Sequence, residues 1–186
     1  YGGTSAGIAS LMVGVVVPVI NVLSVVVLEY FRGNKPDGKK ILKGIVLNPI
    51  VIGGVLGPLC AIVGIRLPKG LEGVVFEIAE IATPLALVIL GASVTFSSVK
   101  LNRKPLAVGV LNRLVIVPAV GITIAILFGF RGLELILLMA MYASPAAVSS
   151  YTMAQQMDGD AELAGQIVVF TTALSLLSLF LWISLL

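Results

Sequence analysis

Residues 142–157, YASPAAVSSYTMAQQM, concentrate a proline, four serine and threonine hydroxyls, tyrosine hydroxyls and two amides in a chain that is otherwise apolar. Pro145 has no N–H for the carbonyl four residues earlier and its ring crowds that carbonyl, so a helix running through it kinks or breaks near residues 142–144. Two readings follow. In the plainer one, Ser144, Ser149, Ser150 and Thr152 satisfy the freed backbone groups of a simple kink. In the other, the helix is discontinuous at mid-membrane and the amides of Ala146, Ala147 and Val148, opening its second half, face a small anion. Ser144, Pro145, Ala146, Ser149, Ser150 and Gln155 are then the candidate substrate ligands at the break.

Two further segments repeat this chemistry. LNPIVIGGVLG, residues 47–57, sets Asn48 beside Pro49 and follows them with Gly53, Gly54 and Gly57, which permit close backbone approach. Asn48 joins the candidate substrate ligands. IATPLALVILGAS, residues 81–93, sets Thr83 before Pro84, then Gly91 and Ser93. Packing accounts for the glycines of both segments equally well. Glu77 and Glu80 approach the second segment, and Arg113 lies inside the apolar stretch LNRLVIVP. Charges embedded in a membrane are costly and mark a pathway, a coupling site or an ion pair, unless they snorkel to an interface. Asn21, Gln155, Gln156, Gln166, Thr171 and Thr172 extend the polar set, as a site or as interhelical glue.

The elements that must carry these residues are set by the solvent. The chain is 59% hydrophobic and 11% charged, with a mean hydropathy of +1.14. Its apolar runs approach the roughly 20 residues that cross a bilayer. A soluble chain of 186 residues carries more charge and cannot hide so many apolar runs in one core. The expectation is an integral membrane protein. The first run continues to Tyr30 without a preceding basic region, so it reads as a spanning helix and not as a signal peptide. Cys60 has no second cysteine and the chain has no histidine, which leaves no disulfide and no soft-metal ligand set. No nucleophile, base and orienting group stand at motif spacing, so neither an enzyme nor a cofactor is expected. The net charge of +3 gives no ground for nucleic-acid binding.

Helices are predicted at about residues 8–30, 41–64, 71–96, 105–130, 134–157 and 160–185, joined by short polar connections. These six spans form an all-α polytopic membrane protein. The connections at residues 31–43 and 97–104 hold eight basic residues: Arg32, Lys35, Lys39, Lys40, Lys43, Lys100, Arg103 and Lys104. The opposite side holds three, Arg66, Lys69 and Arg131, which predicts that the richer side is cytoplasmic.

Aligning the stretch from Gly14 with that from Gly165, an offset of 151 residues, matches Gly14 with Gly165, Val17 with Val168, Leu23 with Leu174, Ser24 with Ser175 and Leu28 with Leu179. Apolar sequence matches readily by chance. Taken as real, the match makes the first and last helices equivalent members of two inverted repeats, and predicts four more helices upstream.

YASPAAVSSYTMAQQMDGDAELAGQIVVFTT, together with LNPIVIGGVLG, GIRLP and ATPLALVILGAS, resembles the auxin efflux carrier family, in the bacterial branch that includes proposed malonate and other organic-acid permeases. The order and spacing of these segments carry the resemblance, which runs over nearly the whole chain. It implies two inverted five-helix repeats with one broken crossing helix in each. Residues 1–30 would be the last helix of the N-terminal repeat, 31–43 a cytoplasmic connection and 44–186 the C-terminal repeat. Within that repeat, residues 44–96 would be scaffold helices and 105–186 transport-domain helices, with the crossing at Ser144, Pro145 and Ala146. The other broken helix is absent from this chain.

The function so implied is secondary transport of a small organic anion by alternating access, in a bacterial inner membrane, by a homodimer formed through the scaffold helices. Proton coupling would need a titrating group, for which Glu77 and Glu80 are the candidates. The alternatives are a sodium-coupled anion symporter of the bile-acid-transporter type, with Gln155, Gln156 and Ser150 near the ion, and a membrane subunit that does not transport.

Overall fold

The computed structural model of the chain describes residues 3–31, 38–65, 67–93 and 96–185. Arg32, Lys35 and Arg66, which enter the charge count, lie outside the described residues. Every regular element described is helical: α1 Gly3–Phe31, α2 Gly38–Leu47, α3 Pro49–Val63, α4 Lys69–Ser93, α5 Phe96–Leu101, α6 Arg103–Leu111, a π-helical turn Asn112–Ile116, α7 Val117–Leu127, α8 Gly132–Ala143, α9 Val148–Gln156 and α10 Ala161–Leu185.

Among the described residues, four stretches are long and apolar enough to cross a membrane: Met12–Phe31, Gly70–Ser93, Arg103–Leu127 and Ala161–Leu185. A fifth follows if α8 and α9, bent by 44° at their junction, form one span. The protein is thus an all-α polytopic membrane protein with one broken span. The segment predicted as a single helix over 41–64 is instead divided at Asn48. The reason is local: Asn48 is extended, its Oδ1 accepts from the amides of Ile50 (2.9 Å) and Val51 (3.4 Å), and Pro49 follows at the first helical position. That is an N-cap with a proline at N1, which starts a new helix and so interrupts the old one. The resulting α3 has 15 residues, about 22 Å at 1.5 Å per residue, against a hydrocarbon core of about 30 Å.

The chain divides into two compact units, Tyr1–Ala82 with Gln156–Gly159 and Thr83–Gln155 with Asp160–Leu186. In the first, α1 packs on α2 and α3. Gly54 faces α1, and a Cβ there would make only ordinary van der Waals contact with Asn21 and Pro18, at 3.8–4.0 Å, so the approach of α3 to α1 does not depend on a glycine. Glu77 and Glu80 are exposed on α4.

In the second unit, α7, α8 and α10 enclose one cluster, Ile122, Ala125, Leu135, Met139 and Ala143, against which Leu179 and Trp182 pack. Leu90, Tyr151 and Val168 form another. The distribution along α10 is the reverse of a soluble helix. Gly165, Gln166, Val168, Thr171 and Ser175 are buried, while Leu176, Phe180 and Ile183 are exposed. Small and polar side chains thus face other helices and large apolar ones face outward, the arrangement that lipid favours.

Gly121 on α7 is the tightest contact with a stiff neighbour in this unit: a Cβ there would fall 2.7 Å from the ring of Tyr142. Gly53 on α3 has open space around it. Gly121→Ala is therefore expected to cost about 1–3 kcal/mol by overpacking, whereas Gly53→Ala should leave thermal stability in detergent unchanged. Equal melting temperatures for the two variants would show that Tyr142 yields freely.

A candidate anion site at the broken helix

The break grows from one missing donor. Pro145 cannot bond the carbonyl of Met141, and Ser144 supplies the substitute: its Oγ donates to Met141 O at 2.8 Å. Helix α8 therefore ends at Ala143, and Ser144 turns to an extended conformation with φ −62° and ψ 150°. The chain then runs without helical bonds to Val148, where α9 begins.

The amide of Ala146 does not face an open site. It donates to Thr171 Oγ1 at 3.1 Å, and that hydroxyl passes its own proton to the carbonyl of Ile167 at 2.7 Å. This corrects the expectation that Ala146 presents its amide to substrate. Thr171 is fully buried, so the bond is shielded from water and anchors the linker to α10. Among the described residues, no acceptor engages the amides of Ala147 and Val148, and they form the open N-terminal end of α9.

Arg113 reaches the same linker from the π-helical turn. Its Nη2 donates to Ser144 Oγ at 3.1 Å and to the carbonyl of Pro145 at 3.3 Å. A second proline places it there. Pro118 cannot bond the carbonyl of Leu114, the amide of Val117 reaches back five residues to Asn112, and the helix takes one wide turn. Ser178 Oγ and Trp182 Nε1 on α10 take up the freed Leu114 carbonyl, each at 3.0 Å. Arg113 is half-buried, its Nε is buried without an acceptor, and no carboxylate lies within ion-pair distance of it among the described residues. A hydroxyl and a carbonyl hold the guanidinium in place but do not neutralise it.

The structure thus gathers Arg113, Ser144, Pro145 and Ala146, with Thr171 as an unforeseen member. Sequence reasoning had counted Thr171 only among polar residues of the last helix; its spacing from Pro145 says nothing about contact. Ser149 is half-buried, while Ser150 and Gln155 are exposed. Ser150 Oγ donates to Ala147 O at 2.6 Å. Asn48, Glu77 and Glu80 belong to the first unit, where Asn48 is a buried helix cap. Among the described residues, no cluster of histidine, cysteine or acidic side chains could hold a metal.

Residues 35–183 match the membrane transport protein family, four-fifths of the chain. The chain belongs to this family. The family is one of membrane transport proteins. The chain is also similar to an "Uncharacterized transporter" of Methanothermobacter thermautotrophicus, at 28% identity over 147 residues, covering 78% of this chain and 48% of that protein. It therefore spans about half the length of the curated relative it matches. No solved structure matches it.

Thr171→Val removes the acceptor for the Ala146 amide while keeping the shape, and is expected to cost about 1–3 kcal/mol through the unpaired donor. Thr171→Ser should remain near the parent. Thermal unfolding in detergent reads the difference, and a Thr171→Val protein as stable as the parent would remove Thr171 from the support of the break.

Proposed function

We propose that this chain forms part of a secondary transporter that moves a small organic anion, a mono- or dicarboxylate of the malonate, malate or auxin type, by alternating access around the break between α8 and α9. One observation carries the reading: the half-buried guanidinium of Arg113 sits at the break without a carboxylate partner. A substrate carboxylate would supply the missing counter-charge. The open amides of Ala147 and Val148 add the positive end of a helix dipole on the same linker. Ser144 and Pro145 hold Arg113, while Ser149, Ser150 and Gln155 on α9 are the further ligands of the reading.

Membership of the membrane transport family supports a carrier over a passive subunit. In the auxin efflux carrier branch, α2 and α3 together count as one interrupted span, which brings the total to six, with inverted repeats and a homodimer formed through residues 44–96. Ser98 Oγ donates to Glu162 at the start of α10, so the connection at 97–104 and the N-terminal end of α10 lie together in the second unit. That agrees with a common cytoplasmic side for both, opposite the turn holding Arg131. Asn48, as a buried cap, serves the reading through the placement of α3, and Glu77 and Glu80 remain its proton-coupling candidates.

The test is uptake of labelled malonate and malate into proteoliposomes holding the full-length protein, with proton and sodium gradients imposed separately. Arg113→Gln keeps hydrogen-bonding capacity and removes the charge. Losing a charge-assisted contact worth about 1.5–3 kcal/mol should lower kcat/KM by roughly tenfold or more. Pro145→Ala restores the donor for Met141 and should reduce flux while leaving membrane insertion intact. Unchanged KM in Arg113→Gln would place the anion elsewhere, and the absence of flux under both gradients would favour the non-transporting reading.

A further inference from the structure

The two bonds from Arg113 to the linker, at 3.1 and 3.3 Å, are on the long side of the usual range. The arginine side chain also has several freely rotating bonds. Its charge is therefore placed at the break mainly by whatever holds the backbone of its own turn.

The next residue is held well. The carbonyl of Leu114 accepts from Ser178 Oγ and from Trp182 Nε1, each at 3.0 Å, which occupies both of its lone pairs. Pro118 has no N–H to offer it, and Leu114 is buried. Without these two donors the carbonyl would stand open in an apolar surrounding. Trp182 does more than donate. Its ring packs against the cluster of Ile122, Ala125, Leu135, Met139 and Ala143, to which α7 and α8 both contribute. One side chain thus ties the turn of Arg113 to α8, the half-helix that ends at the break.

Thr171, Ser178 and Trp182 are seven and four residues apart on α10, so they share one face of it. Thr171 holds the linker through the Ala146 amide, and Ser178 and Trp182 hold the turn of Arg113 about 10 Å further along the axis. The two parts that Arg113 joins are each fastened to the same continuous helix. Their separation is set by α10, and the long bonds of the guanidinium only complete it.

We propose that Trp182 and Ser178 are positioning residues for the anion site, which keep the guanidinium of Arg113 at the break before an anion arrives. This rests on the anion reading of Arg113 and supplies its support. Neither side chain needs to touch the anion. Removing one donor leaves the other on Leu114 O, so the turn gains freedom without losing its fold. Arg113 is then at the break for less of the time, and the loss falls on binding.

The experiment measures uptake of labelled malonate by the full-length protein in proteoliposomes, together with its melting temperature in detergent without any anion. Trp182→Phe keeps an aromatic ring and removes the N–H, Ser178→Ala removes the other donor without touching the ring, and Ser178→Thr keeps the hydroxyl. Each of the first two should raise KM roughly two- to tenfold with kcat near that of the parent, and Ser178→Thr should stay near the parent in both. In an Arg113→Gln background neither should raise KM further, because the residue they act through is gone. Parent KM in both variants would overturn the proposal. So would a rise in Trp182→Phe alone, which would trace to ring packing and not to the bond, or an equal rise with and without Arg113. If Arg113→Gln leaves KM unchanged, or malonate is not carried, the anion reading fails and the melting temperatures decide alone. The shifts from Trp182→Phe and Arg113→Gln should then be smaller together than their sum, and strictly additive shifts would overturn the hold of Trp182 on Arg113.

Discussion

In hydrocarbon a backbone carbonyl without a donor is costly, because water cannot take the donor's place. Most of the second unit follows from how two such carbonyls are answered. Pro145 frees Met141 O, and the nearest hydroxyl, on Ser144, closes the gap from within the same turn. Pro118 frees Leu114 O, and here the answer comes from another helix, through Ser178 and Trp182. At Pro145 the helix ends, because the proline ring disfavours the helical region for the residue before it, and Ser144 is extended. The remote answer lets the helix continue through a wide turn, and ties α10 to the turn that carries Arg113. One type of defect, met in two ways, thus yields both the linker and the cation that reaches it.

The polar side of α10 has the same logic on a longer scale. Thr171 accepts from the Ala146 amide, Ser178 and Trp182 donate to Leu114 O, and Gln166 donates to Ser98. Each is a hydrogen bond to a group that lipid could not satisfy. Gly165 supplies the room, since a Cβ there would lie 3.0–3.2 Å from Leu90 and Tyr151. A helix whose apolar residues all faced inward would give these donors and acceptors no partner. Its outward leucines and phenylalanines need none.

The sequence made much of this legible and hid the rest for definite reasons. Helix positions followed from apolar run length, and the break from Pro145, because both are local properties. The interruption at Asn48 was also written locally, as a cap residue followed by proline, yet a continuous apolar run concealed it: hydropathy does not register a cap. The wide turn at Asn112–Ile116 could be suspected from Pro118, but a proline permits a kink, a break or a π turn, and tertiary partners choose among them. Thr171 was invisible as a support of the linker because 25 residues of chain separate it from Ala146. Arg113 was visible as an embedded charge. Its place at the break was not, since that depends on which face of the wide turn meets α8.

The energetics of Arg113 explain why a charge can rest there at all. Placing an arginine at the centre of a membrane helix costs about 2.5–3.5 kcal/mol on insertion scales. Two hydrogen bonds from a charged donor return about 1.5–3 kcal/mol each when well made, and at 3.1 and 3.3 Å these are on the long side. The sum is near balance, so Arg113 is tolerated without being satisfied. Had a carboxylate of the protein paired with it, an incoming anion would have to exchange one strong ion pair for another and would gain little. A guanidinium held by a hydroxyl and a carbonyl is oriented beforehand, yet retains most of its attraction for negative charge. The same linker that holds it also leads into α9, so in the proposed reading an anion drawn to Arg113 would approach the positive end of that helix as well.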